Sequence, residues 1–294
     1  MNLTDAYDYC KDVTHRHGPN FSLGFIFLPK AKRRAVYAAY AFCRYADDIV
    51  DEAAAAQSME MRLKIWTDGL DRAYDGDATH PILIALADSV TRFDIPKQPF
   101  IDLIEGCRID LTIDRYATFD DLMEYCRKVA GTISTISLSI FGYSEERALE
   151  LGDSLSTALQ LTNIARDVGD DLERGRIYLP LEDLERFGVT EADLSEALGT
   201  PEIKNLLEFE LARISEYFDE AERLIPLIDK DARFTVFVMA QVYRAIADRI
   251  ETDPLAVLTR QVALSSVQKV ALVARLAWRH WRGRHVREIA AEAV

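Results

Sequence analysis

The sequence is poor in the residues that break helices. Among 294 residues only 13 are glycine and 9 are proline. A chain of many short strands and tight turns needs more of both, so this scarcity favours long helices. The four cysteines, Cys10, Cys43, Cys107 and Cys126, lie far apart. Without a Cys-x-x-Cys pair or a cysteine–histidine cluster, neither a zinc site nor a disulfide framework is expected. Reduced thiols fit a cytoplasmic protein. No apolar run reaches the length of a membrane span. The N-terminal MNLTDAYDYCKDV carries acids where a signal peptide has its apolar core, so none is expected. Positive charge is the minority, 35 Lys and Arg against 49 Asp and Glu, for a net charge of −14. A nucleic-acid partner needs a basic surface, so none is expected.

What is present is helical periodicity. Between Lys32 and Glu52, Val36, Ala39, Tyr40, Cys43 and Ala46 fall on one helix face. Residues 59–74, 82–93 and 98–114 continue the pattern. Thr118, three residues before Asp121, reads as an N-cap. The stretch 120–141 is apolar and rich in small residues, and its helical neighbours favour a buried helix over a strand. Helices are expected again at 144–172, 181–187, 191–198, 201–228, 230–252 and 255–283, with interruptions at Pro180 and Pro254. No linker, low-complexity tract or short repeat appears, so residues 1–294 read as a single all-α domain.

Two acidic stretches stand out. NIARDVGDD (163–171) sets Asn163, Asp167 and Asp171 four residues apart, with Asp170 beside the last. RYADDIVDE (44–52) sets Asp47 and Asp51 four apart, with Asp48 adjacent and Arg44 three residues before Asp47. Four residues of helix advance about 400°, so these side chains stack on one face. Like charges so placed destabilise an isolated helix by a few tenths of a kcal/mol. Gly169 adds about 1 kcal/mol against alanine in a helix interior. A bound cation offsets such terms. One such pair is commonly a solvated face; two on separate helices are harder to dismiss. Facing each other across a cavity, the four carboxylates would hold hard divalent cations through oxygen, with water and phosphate completing the shell. Such a cation acts as a Lewis acid on a diphosphate leaving group.

Three longer stretches carry a resemblance. HGPNFSLGFIFLPKAKRRAVYAAYAFCRYADDIVDE, YCRKVAGTIS and LTNIARDVGDDLERGRIYLP resemble the signature regions of the squalene/phytoene synthase family, the head-to-head branch of the trans-isoprenyl diphosphate synthases. The resemblance spans roughly residues 10–275. It implies an isoprenoid synthase fold, a single helical bundle around a central apolar cavity that receives two allylic prenyl diphosphates. It implies that Asp47, Asp51, Asp167 and Asp171 are catalytic metal ligands, joined by Asn163. His17, Arg44, Asp48, Gln160, Arg166, Arg176, Tyr178, Tyr243 and Arg260 match positions that bind or orient the diphosphates. The implied cofactor is Mg2+, with Mn2+ as a substitute, and NADPH only if the product is squalene. The implied reaction passes through a cyclopropyl-carbinyl diphosphate, most simply from two geranylgeranyl diphosphates to phytoene. The alternatives are a squalene, dehydrosqualene or presqualene diphosphate synthase using farnesyl diphosphate, and, in another class, a non-catalytic member acting as an assembly or binding protein.

Plainer readings stand beside these. Tyr37, Tyr40, Phe42 and Tyr45 at helical spacing describe core more often than a guide for cations, and Phe234, Phe237 and Tyr243 share that reading. Arg44 has Asp47 and Asp48 on its own helix as ion-pair partners. In YCRKVAGTIS, Arg127 and Ser134 stand where many relatives carry an aromatic residue and glycine. RLAWRHWRGRHVR (275–287) concentrates arginine and tryptophan. It reads either as a solvated helix end or as a peripheral contact with the anionic inner face of a membrane.

Overall fold

The computed structural model describes residues 1–51, 56–109 and 112–292; for residues 19, 20, 51, 56 and 283–292 it describes the backbone alone. Among the described residues the regular structure is helical, and pairing between extended segments is confined to isolated bridges. The first half contains α1 (Leu3–His17), α2 (Pro19–Phe25), α3 (Lys30–Asp51), α4 (Ala56–Tyr74), α5 (Pro81–Phe93), α6 (Gln98–Ile109), α7 (Phe119–Cys126) and α8 (Thr132–Phe141). The second contains α9 (Arg147–Arg166), α10 (Val168–Glu173), α11 (Leu181–Phe187), α12 (Glu191–Ser195), α13 (Pro201–Ala221), α14 (Arg233–Thr252) and α15 (Ser266–Glu292).

Local signals start several of these helices. Thr118 and Asp121 form a reciprocal capping box at α7, and Thr190 and Asp193 do the same at α12. Each pair satisfies backbone N–H groups that a helix start leaves free. Pro81 and Pro201 open α5 and α13, where a missing N–H costs nothing. The apolar 120–141 stretch is helical, but α7 and α8 are joined by a π-helical turn, Arg127–Gly131. Such turns shift the side-chain register by one residue and gather at functional walls.

Two helix groups share one apolar core. In the first, α3 packs against α1, α5, α6 and α8. In the second, α9 packs against α13, α8 and α14. Phe42 and Tyr45 meet Trp66, and Phe42 also meets Phe100. Phe42 is thus core, as its spacing suggested.

The helix expected over 201–228 is α-helical to Ala221 and a 3-10 turn over Glu222–Leu227, which contains Pro226, and two other expected helices are interrupted. The one expected over 144–172 breaks at Asp167, whose φ of −103° and ψ of 14° lie outside the helical range. Backbone bonds from Asp167 to Asn163 and from Asp171 to Asp167 still span the break, so it is a kink. The helix expected over 255–283 is a short 3-10 turn, Pro254–Leu258, then an irregular crossing, then α15. That 3-10 turn explains Gly169. A Cβ there would lie 2.8 Å from the Leu258 carbonyl oxygen and 2.9 Å from that of Val257. Two backbones touch at this point, which only glycine permits.

Candidate active site

A cavity of about 530 Å3 lies between the two helix groups. From α3 it is lined by Val36, Ala39, Tyr40, Cys43, Arg44 and Asp47. These positions are three and four apart, so one stripe of the helix faces it. From α9 the same spacing brings in Gly152, Leu155, Ser156, Leu159, Gln160 and Asn163, followed by Asp167. In both stripes the charged and amide side chains gather in the last turns, with Val50 and Ile164 the apolar residues among them. The cavity therefore has an apolar body and a charged mouth, where α3 and α9 end. Helix C-termini carry partial negative charge, which favours a cation there.

At the mouth Asp167 accepts two hydrogen bonds from Arg166, at 2.8 and 2.5 Å, and one from Gln261 Nε2 at 2.7 Å. Burial works against the Arg166 charge, but Asp167 and Tyr243 outweigh it and hold the guanidinium protonated. Asp171 is less well served. Burial, then the nearby Asp167 charge, push its carboxyl up to about 7, with Arg174 and Arg176 working against the shift. Across the mouth, Cys107 Sγ donates to Asp47 Oδ1 at 3.2 Å. Asn163 Oδ1 is buried with no hydrogen-bond partner. A buried acceptor without a donor carries a desolvation cost that a bound cation would remove.

The candidate residues sort clearly. Asp47, Asp167, Asp171, His17, Arg44, Gln160, Asn163, Arg166, Arg176, Tyr178 and Tyr243 all line the cavity. Asp48 does not; it pairs with Arg44 one turn earlier on α3. Arg260 is exposed and faces Asp253 at 3.8 Å. Asp51 is the last residue of α3, and its side chain is outside the described residues. Of Tyr37, Tyr40, Phe42 and Tyr45, Tyr40 alone lines the cavity, and the charged groups around it include Arg44 and Asp47. Phe234 packs on Phe27 and His280 instead.

Among the described residues no three acidic, histidine or cysteine side chains close on one point. Of the four carboxylates expected to meet, the Asp51 side chain lies outside the described residues, and Asp167 is held by Arg166 and Gln261. What remains fits a divalent cation nonetheless. Asp167, Asp171 and the bare Asn163 oxygen share one wall, and Mg2+ typically takes one or two carboxylates and fills its shell with phosphate and water.

The structure adds residues that sequence reasoning passed over. Arg174 lines the mouth beside Arg176. Gln261 reaches Asp167 from the irregular crossing before α15. Lys269 is partly buried, and burial followed by Arg166 repulsion lowers its basicity. Arg174 was readable, since it falls inside the quoted DLERGRIYLP. Gln261 and Lys269 gave no local signal.

Comparison with known proteins agrees with this fold. The pattern describing squalene/phytoene synthases matches residues 14–268. A 15-cis-phytoene synthase of Synechocystis sp. is 38% identical over 94% of this chain and 86% of its own. The solved structure of a dehydrosqualene synthase in complex with a ligand superposes with a TM-score of 0.86 at 30% identity, covering 95% of this chain and 98% of its own. A squalene synthase from Alicyclobacillus acidocaldarius superposes at 0.80 with 34% identity, covering 86% and 95%.

Proposed function

The chain belongs to the squalene/phytoene synthase family, and we propose that it joins two geranylgeranyl diphosphates head to head to give phytoene. The observation that carries this reading is the two-ended cavity, apolar along its body and charged at the mouth where α3 and α9 terminate. A prenyl diphosphate has the same division. The twenty-carbon chain is supported by the relatives named phytoene synthase.

The family depends on a divalent metal, which in our reading is Mg2+. Asp167, Asp171 and Asn163 would hold it, with Asp47 and Asp51 from the facing helix. When bound, the cation supplies Lewis-acid pull on the leaving diphosphate. The chain's own residues do the rest. Arg44, Arg166, Arg174 and Arg176 offer planar donors suited to phosphate oxygens. The rings of Tyr40, Tyr178 and Tyr243 border the region where allylic cations would form, and aromatic faces attract cations. The walls from Val36, Leu138, Leu155 and Val236 exclude water that would quench them. Ionisation of one substrate, attack by the double bond of the other and loss of a proton give a cyclopropyl-carbinyl diphosphate. A second ionisation, rearrangement and proton loss give phytoene. The diphosphate held by the arginines is the base in our reading, and no NADPH is consumed. Residues 1–294 act as one catalytic domain in this account.

Purified protein, magnesium and either the fifteen- or the twenty-carbon substrate, with and without NADPH, test the proposal by mass spectrometry of extracted products. Phytoene from the longer substrate without NADPH is expected. A thirty-carbon product from the shorter one moves the protein to the squalene or dehydrosqualene branch. No product and no magnesium-dependent binding of a diphosphate analogue in calorimetry turns it into a binding protein.

The reading includes a peripheral membrane contact. No described helix is long and apolar enough to cross a membrane. Yet α15 exposes Val267, Val270, Trp278 and Trp281, at 78, 58, 54 and 64% of full exposure. At about 100° per residue these four share one face, and the Arg282 guanidinium lies 4.3 Å from the Trp278 ring. Between Asp253 and Glu288 the sequence has no acid but carries Arg260, Lys269, Arg275, Arg279 and Arg282. An apolar stripe flanked by arginine suits an anionic bilayer. The stripe starts earlier than the 275–287 segment expected from sequence, whose last side chains are outside the described residues. Cosedimentation with anionic vesicles should weaken when Trp278 and Trp281 become serine. Equal sedimentation would remove the membrane from the account.

A further inference from the structure

The connection from α10 to α11 alternates in its facing. Arg174, Arg176 and Tyr178 line the cavity, while Ile177 and Leu179 are buried in the core. Successive side chains of an extended segment point to opposite faces. Arg174 belongs to the turn that closes α10, so a slip of one residue along 176–179 would turn Ile177 and Leu179 into the mouth and take Arg176 and Tyr178 out.

The register is held from outside the cavity. Ile177 N donates to the Asp114 carbonyl at 3.0 Å, Leu181 N to that of Tyr116 at 2.9 Å and Glu182 N to that of Ala117 at 3.1 Å. Arg115 lies in the middle of this backing segment and bridges in parallel with Ile177. Its Nη1 donates to the Gly175 carbonyl at 2.7 Å and to that of Asp114 at 2.8 Å. Its Nε and Nη2 fork onto the Glu191 carboxylate at 3.1 and 2.9 Å. Gly175 stands between the two cavity arginines with φ of +75°, where a side chain would be strained. Arg115 itself is not among the residues lining the cavity.

We infer that Arg115 is a positioning residue for diphosphate capture. By clasping the Gly175 carbonyl to Glu191 it sets the register that presents Arg176 and Tyr178 to the cavity. The guanidinium fork suits this task because one rigid group satisfies a carbonyl and a carboxylate at once. Lysine, a point donor on a flexible stem, can hold one of them but not both in fixed geometry. The inference rests on the diphosphate chemistry proposed above.

Trypsin cuts after Arg174 and Arg176, so the site reports its own order. Arg115→Gln, Arg115→Lys and Glu191→Gln are compared with the parent protein. The readouts are circular dichroism, tryptic cleavage in this connection, and KM and kcat for geranylgeranyl diphosphate with magnesium. Arg115→Gln should raise KM on the order of tenfold, as expected for loss of a charge-assisted hydrogen bond, with kcat changed less. Cleavage after Arg174 and Arg176 should quicken in step. Arg115→Lys should recover part of both effects, and Glu191→Gln should show a weaker version of both. If Arg115→Gln does not fold, the other two variants decide. Parental KM and parental cleavage in folded variants would overturn the inference, and so would a change in either readout without the other. Cleavage needs no substrate. If the parent turns over no prenyl diphosphate, the functional reading fails separately, and pyrophosphate affinity with magnesium replaces KM in the comparison.

Discussion

Asp171 at the cavity mouth and Glu210 in the contact between α11 and α13 are both pushed up to about 7, in both cases first by burial. Their surroundings differ. Arg213 donates to Glu210 Oε2 at 2.8 Å and to Asp183 Oδ2 at 3.0 Å. The same guanidinium sits 3.8 Å from the Phe119 ring centre and 4.7 Å from that of Phe209. With a proton on Glu210 this cluster is neutral, and it opens onto no described cavity. Asp171 has Asp167 as its strongest charged neighbour, and Asp167 is already committed to Arg166 and Gln261. Its deficit of positive charge faces the cavity. A perturbed carboxyl is therefore not a functional signal by itself. It becomes one when the compensating charge must come from outside the protein.

The comparison breaks most visibly at the mouth. Asp171→Asn should lower kcat at least about a thousandfold, the scale of a lost metal ligand. At pH 8 without metal its melting temperature should equal or exceed that of the parent, because a repelled carboxylate is gone. A large loss of metal-free stability with near-normal activity would assign Asp171 to structure. Magnesium with pyrophosphate should raise the melting temperature of the parent and not of the variant.

At the second cluster the signs reverse. Arg213→Met leaves two buried carboxylates with one proton between them and should cost about 3–5 kcal/mol in denaturant unfolding. Product formed per folded molecule should stay near the parental value. A selective loss of kcat would mean that this cluster also serves the chemistry.

Glu210→Gln sharpens the contrast. The folded carboxyl keeps its proton up to about pH 7, whereas an unfolded glutamate releases it near 4.3. Its contribution is therefore full below the unfolded value and lost as pH rises through the folded one. The stability difference between variant and parent should grow by roughly 2–3 kcal/mol from pH 4.5 to 8. A parallel pair of stability curves would place the Glu210 pKa at its ordinary value.

Much of this was legible in the chain, for reasons of range. The helix starts at Thr118 and Pro201 depend on side chains within one turn, and local spacing reports them. The stacking of Asn163, Asp167 and Asp171 follows the same rule and survives the kink at Asp167 through i to i+4 backbone bonds. The long quoted stretches pointed to the family that the comparisons show. The same rule failed where a segment is shaped by a distant one. Residues 259–265 leave the helical path and carry Gln261 to Asp167, 94 positions earlier in the chain. Arg260 consequently faces Asp253 rather than the cavity.

The sequence by itself determined an all-α chain, two acidic helix ends and membership of a family. Each of these rests on spacing within a few turns or on whole stretches of residues. Tertiary structure decided the rest. Packing chose Tyr40 for the cavity and Phe42 for the core, although both belong to one amphipathic helix. A backbone contact with Val257 and Leu258 made Gly169 necessary, where its sequence context showed only a helix defect. The Arg115 clasp joins Gly175 and Glu191 from separate elements. Such contacts form between residues far apart in sequence, and local periodicity carries no record of them.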